Sequence, residues 1–129
     1  MEEIGSTYTD RWFAEVWNKR NAAVIDEMMD ENVIVHGLGL GGAGIEPFKL
    51  FYKEFIDNFK DIHVAVDHVL TDGEYEAARC TASAVDIHTG MDVSFSGMVM
   101  VRIKDGKVVE AWNNFDFLSM YLQLGQKLV

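Results

Sequence analysis

The stretch IHVAVDHVLTDGEYEAARC, Ile62 to Cys80, is where the chain changes its period to two. Ile62, Val64, Val66, His68 and Leu70 alternate with His63, Ala65, Asp67 and Val69, the pattern of a half-buried strand. TDGE at Thr71–Glu74 then reverses the direction, HTGM does so at His88–Met91 and KDGK at Lys104–Lys107. Two of these carry the Asp-Gly pair of a tight hairpin. Four strand-like runs therefore follow one another to about Phe117, and connections this short join antiparallel neighbours.

Upstream the period is helical. Thr7 and Asp10 can cap a helix whose apolar face is Trp12, Phe13, Val16 and Trp17, ending near Arg20. Asn21 is suited to cap a short second helix with Val24, Ile25, Met28 and Met29 as its stripe. A short strand, VIVHG, precedes a glycine loop. After it Pro47 stands near the start of a third helix, on which Phe48, Phe51, Tyr52, Phe55 and Phe59 form one wide aromatic face. Leu118–Leu124 reads as a last short helix with Gly125 at its C-terminus. Helices first and a meander second predict an α+β fold, a curved antiparallel sheet wrapped around the helices, over one domain spanning 1–129. The open end of such a sheet is a natural pocket.

The glycine loop carries G-x-G-x-x-G at Gly37, Gly39 and Gly42. A dinucleotide site would need parallel strand–helix–strand units behind that loop, and the meander supplies none. Asp57 and Asp61 do not replace the missing acidic partner, one lying within the third helix and the other just past it. The loop is read as a mobile rim over the pocket or as plain surface, and no nucleotide cofactor is expected.

Eleven Lys plus Arg against twenty-one Asp plus Glu give a formal charge of -10. That balance repels phosphate backbones and anionic lipid, so neither nucleic acid nor membrane is an expected partner. No apolar run is long enough to span a bilayer, and the acidic start MEEIGSTYTD lacks the features of an export signal, so a cytoplasmic location is expected. Cys80 is the single cysteine and reads as a small core residue. His63, His68 and His88 have no metal-ligand spacing, so no metal is expected. Ser94 and Ser96 lack a nucleophile elbow.

In the last strand, KVVEAWNNFDF, period two puts Val108, Glu110, Trp112, Asn114 and Asp116 on one face and Val109, Ala111, Asn113, Phe115 and Phe117 on the other. The second face is mostly apolar and so is the natural core face, unless a bulge changes the parity.

RWFAEVWNKRN, ENVIVHG, FKLFYKEFIDNFKDIHVAVDHVLTDG, AARCTASAVDIHTG, VSFSGMVMVRIKDGKVVEAW and NNFDFLSMYLQLG together resemble the SnoaL-like polyketide cyclases of the nuclear-transport-factor-2-like superfamily. The resemblance covers nearly the whole chain and is strongest in SFSGM, DGKVVEAW and the closing QLG. It implies a cone-shaped α+β barrel, commonly dimeric, with a hydrophobic pocket for a small molecule. It also implies that Glu110, Trp112, Asn114 and Asp116 face that pocket, against the parity count. Asp116, shortly before QLG, stands where the cyclases carry their acid/base. A carboxylate in an apolar pocket has its pKa raised toward neutrality and can move a proton between carbon and oxygen. Asn114 and Trp112 are the implied hydrogen-bond donors. His36 and Arg79 are placed to orient or polarise a carbonyl. For each a structural role stands beside the functional one: Asp116 as a bonded structural carboxylate, His36 satisfying a backbone group, Arg79 pairing with Asp116 or Glu110 or reaching the rim. The expectation is a cofactor-independent cyclase or isomerase acting on a carbonyl-bearing hydrophobic molecule; the alternative is a non-catalytic binding or dimeric adaptor domain.

Overall fold

The computed structural model describes residues 7–40 and 42–126. The acidic start at 1–6, one glycine of the loop, Gly41, and the last three residues lie outside the described residues. Helix α1 (Tyr8–Trp12) opens with a full capping box: the Thr7 hydroxyl oxygen accepts from the Asp10 N–H, and the Asp10 carboxylate accepts from the Thr7 N–H. It runs directly into a π-helical segment, Phe13–Asn18. The wider π turn brings Phe13, Val16 and Trp17 inward together, all three buried. Helix α2 (Ala23–Met28) follows without a side-chain cap, so Asn21 does not play the expected part; its carbonyl accepts from the Val24 N–H instead.

Strand β1 (Met29–His36), helix α3 (Ile45–Asn58) and strands β2 (Phe59–Asp72), β3 (Tyr75–Asp86), β4 (Asp92–Lys104) and β5 (Lys107–Phe115) come next, and helix α4 (Phe117–Gln123) closes the described chain. The order across the sheet is β1-β5-β4-β3-β2. Strands β2 to β5 form the expected antiparallel meander. β1 adds a fifth strand, parallel to β5, so the sheet is mixed rather than wholly antiparallel. The β4–β5 turn has Asp105 and Gly106 both at positive φ, 53° and 80°, as a hairpin of matching twist requires.

Two bulges in β2 make the sheet curve. The register shifts between Lys60 and His63, with Asp61 at φ 52°, and again between Val66 and His68. The second reverses the parity: Ile62 and Val64 are buried, whereas His68 and Leu70 point to water. The core lies between the concave sheet face and the helices. α3 brings Phe48, Phe51, Tyr52 and Phe55 to it, and Trp17 meets the last three edge-on at 4.9 to 6.3 Å.

Side-chain amides finish what the strands leave open. On edge strand β2, Val64 donates its N–H to Asn18 Oδ1 and its carbonyl accepts from Asn18 Nδ2. Gln123 makes the same reciprocal pair with Ser94 on β4, where β5 has ended. Between β1 and β5 the Tyr8 hydroxyl donates to the Met28 carbonyl and accepts from the Val108 backbone, bridging a gap in their ladder. Among the described residues, no helix is long and apolar enough to cross a membrane.

Candidate functional site

The concave face and the helices bound an apolar cavity that opens to solvent at one end. Its wall is aromatic and aliphatic: Trp12 from α1, Phe13 and Trp17 from the π-helical segment, Phe48, Phe51 and Phe55 from α3, Phe95 and Phe115 from β4 and β5, and Phe117 from the start of α4. Hydrogen-bonding side chains are few. They are Tyr8, Thr9, Ser83, Asn113 and the two indoles. The Tyr8 phenol is engaged with backbone, and burial pushes its pKa up, so it stays neutral. Asn113 donates one N–H from Nδ2 to the His36 carbonyl at 3.1 Å, leaving its second N–H and its Oδ1 for a ligand. No carboxylate or imidazole lines the cavity among the described residues.

The expected pocket face of β5 is therefore corrected. A bulge does occur there, since Arg102 pairs with Glu110 but Ile103 with Val108. It lies at Val109, so it moves only Val108 to the inside and leaves the rest of the apolar count standing. Ala111, Asn113 and Phe115 point into the cavity, while Glu110, Trp112 and Asn114 stand on the convex face. The parity count places Asn113 inward, so this one of the cavity's polar side chains is legible from that count alone.

The other candidates do not meet in the cavity either. Asp116 is exposed and serves as N-cap of α4, its Oδ1 accepting from the Ser119 N–H at 2.9 Å. Phe115 and Phe117 on either side of it do reach the cavity, but the carboxylate itself turns to the helix end. Arg79 is exposed on the convex face, 3.5 Å from Asp67, not paired with Asp116 or Glu110. His36 does join two other predicted residues: its Nε2 lies 2.6 Å from Glu110 Oε2, and its ring stacks on Trp112 at 5.5 Å. That trio sits outside the sheet. On its other side the His36 ring packs against Gly42, where an added Cβ would lie 3.7 Å from Cε1 and Nδ1.

Beyond the cavity, burial pushes the Cys80 thiol up to about 11, which makes it an inert core group. Glu76 is a buried carboxylate on the concave face, with Oε2 accepting from the Thr9 N–H at 2.6 Å near the start of α1. Sequence reasoning missed it because an alternating strand gives no sign that a helix terminus will land on one of its charged residues.

A curved sheet closed over helices around an apolar cavity defines the nuclear-transport-factor-2-like class of α+β barrels. The chain belongs to the SnoaL-like polyketide cyclase family, whose model matches residues 7–124. Among solved structures, a protein from Acidithiobacillus ferrooxidans assigned as a polyketide cyclase superposes with a TM-score of 0.83 at 21% identity, over 98% of this chain and 100% of that one. AclR from Streptomyces galilaeus, assigned as a hydroxylase, gives 0.82 at 19% identity over 95% and 100%. A protein from Bacillus cereus, also assigned as a polyketide cyclase, gives 0.79 at 26% identity over 92% of this chain and 78% of that one. No curated protein sequence matches.

Proposed function

We propose that the protein takes a hydrophobic, carbonyl-bearing, polyketide-like molecule into the cavity and promotes its cyclisation or isomerisation without a cofactor. The observation that carries this is a concave, mostly aromatic and aliphatic wall with few polar groups, among them the half-free amide of Asn113. Flat, largely apolar ligands bury well against such a wall, and a single polar group fixes their orientation. Family membership supports the reaction class.

The cavity's contribution is chiefly conformational. Holding an enolisable carbon near a carbonyl of the same molecule removes much of the entropic barrier to joining them. The second Asn113 N–H, which has no partner among the described residues, is the donor available to stabilise oxygen as negative charge gathers on it. The bond forms between a carbanionic carbon and a carbonyl carbon, the carbonyl oxygen gains a proton, and the overall oxidation state is conserved, so the chemistry calls for no redox group. Since no acid or base lines the wall among the described residues, protons pass to and from solvent, with Asp116, exposed between the cavity-lining Phe115 and Phe117, as the candidate carboxylate.

The second reading, a non-catalytic binding domain, is favoured by the position of Asp116, which caps a helix in water instead of facing the ligand. One set of variants separates the two. Asn is as good an N-cap as Asp, so Asp116→Asn should leave stability within a few tenths of a kcal/mol. If Asp116 exchanges the substrate's proton, turnover of a poly-β-ketone should fall by about a hundredfold or more in that variant. Binding is read by quenching of Trp12 and Trp17. Binding and turnover that are both lost in Asn113→Leu support the enzyme; binding without turnover in the wild type supports the second reading; absence of binding overturns both.

A further inference from the structure

The glycine loop, for which no nucleotide is expected, has a residue that glycine chemistry does not explain. Gly37, Leu38, Gly39 and Leu40 form a turn closed by the Leu40 N–H donating to the Gly37 carbonyl at 2.9 Å. Its two central residues, Leu38 and Gly39, have φ of 58° and 75°, the pattern of a type I′ turn. Asn, Asp and Gly are the residues that accept such positions, and a leucine there is under backbone strain. An added Cβ on Gly39 would meet nothing within 4 Å, so the tip of the turn stands clear of other atoms. The Leu38 side chain, by contrast, lines the cavity while remaining only half-buried, so it faces ligand space and solvent at once.

Both ends of the turn are pinned. Gly37 lies so close to β5 that a Cβ would fall 2.0 Å from the Asn113 carbonyl oxygen, and the Asn113 amide holds the His36 carbonyl. On the far side the Val35 N–H donates to the Ala43 carbonyl at 2.7 Å, and the His36 ring packs against Gly42. A strained tip on a fixed frame does not swing freely; it holds one side chain in one place.

We propose that Leu38 is the specificity-determining residue at the rim, a plug whose side chain closes the cavity beside Asn113 and limits how many fused rings can enter. This rests on the cavity being a ligand site, the reading given above. The strain at Leu38 is offset by burial of its side chain, which also explains why leucine stands at a position that glycine would hold more easily. A ligand reaching Asn113 must pass or displace it.

The test uses two fluorescent aryl ketones, the two-ring naphthyl ketone prodan and its three-ring anthracene analogue, mixed by stopped flow with the full chain. The variants are Leu38→Gly, which relaxes the turn and removes the plug, and Leu38→Asn, which suits the left-handed backbone but puts a polar group at the rim. Both should keep native circular dichroism and a Tm within about 4 °C of the parent. The wild type should bind prodan and exclude the three-ring ketone. Both variants should bind prodan at least about fivefold faster and admit the larger ketone, as expected when a gating group is removed. If the wild type binds prodan and the variants match it in rate and ring limit, Leu38 is a turn residue only and the proposal falls while the ligand site stands. If neither wild type nor variants bind either ketone, the ligand-site reading fails and takes the plug with it.

Discussion

Replacing Gly97 with alanine adds one carbon at the place where β4 and β5 bring the cavity wall closest to backbone. Gly97 pairs with Phe115 in register, and the new Cβ would lie 2.3 Å from Phe115 Cδ1, 2.5 Å from Cγ and 2.8 Å from Cα. Two of these atoms belong to a ring that can turn, but the third is main chain, so rotation of Phe115 alone does not relieve the overlap. The ring is also held edge-on by Phe13 at 6.4 Å and Phe95 at 6.2 Å. Overpacking of this kind costs about 1–3 kcal/mol, and the backbone clash places Gly97→Ala at the upper end, near 3 kcal/mol. Urea unfolding followed by circular dichroism measures it, and a cycle with Phe115→Ala apportions it. Removing the ring deletes the two shorter contacts, so the alanine should then cost about 1 kcal/mol, a coupling of about 2 kcal/mol. Since Phe115 lines the cavity, the displaced ring should also weaken prodan binding in the single variant. A cost for Gly97→Ala below about 0.5 kcal/mol, or a coupling within about 0.5 kcal/mol of zero, would refute the packing argument.

Four further outcomes are expected. Gly37→Ala should destabilise by about 3 kcal/mol or more, against about 1 kcal/mol for Gly39→Ala, since both have positive φ but only the first meets the Asn113 carbonyl; urea midpoints compare them. Gln123→Ala should cost about 1–3 kcal/mol by freeing the Ser94 backbone and should raise hydrogen exchange at Ser94 without touching the cavity. A symmetric homodimer is expected through the convex sheet face, where Leu70, Met98 and Met100 are exposed around Trp112 and Tyr75; sedimentation should show it at micromolar concentration, and Met100→Lys should return monomer. The Thr89 hydroxyl, with the His88 N–H behind it, holds the Asp86 carboxyl below its usual range, so this group adds stability that is present above the unfolded pKa and lost as pH falls through the folded value. Thr89→Val should accordingly be less stable than wild type at pH 7, with the gap closing below about pH 4.

The meander was legible because hairpin turns and period two are local signals: TDGE and KDGK each place a reversal within a few residues of its strands. The parallel docking of β1 was not, because nothing in VIVHG distinguishes an antiparallel neighbour from a parallel one returning across a helix. The same limit acts on β2, where the reversal of faces at Val66–His68 depends on a bulge that curvature demands and composition does not announce.

For the candidate site, local chemistry outperformed the family pattern. Counting faces in KVVEAWNNFDF puts Ala111, Asn113 and Phe115 inward, as they are found, whereas the pattern drew Glu110, Trp112 and Asn114 to the cavity. The closing NNFDFLSMYLQLG has a structural account in this chain: Asp116 begins α4, Gln123 fastens it to β4, and Gly125, at φ 85°, lets the helix stop. A stretch whose residues dock and cap a helix gives no evidence by itself that its carboxylate does chemistry. What distinguishes the cavity instead is a residue in the wrong conformation for its type, Leu38, together with an amide that keeps an N–H and its oxygen free, Asn113. Neither stands out in composition. Both follow from where β1 ends against β5, because Gly37 lets the chain pass close to the Asn113 backbone and the turn after it brings Leu38 to the cavity.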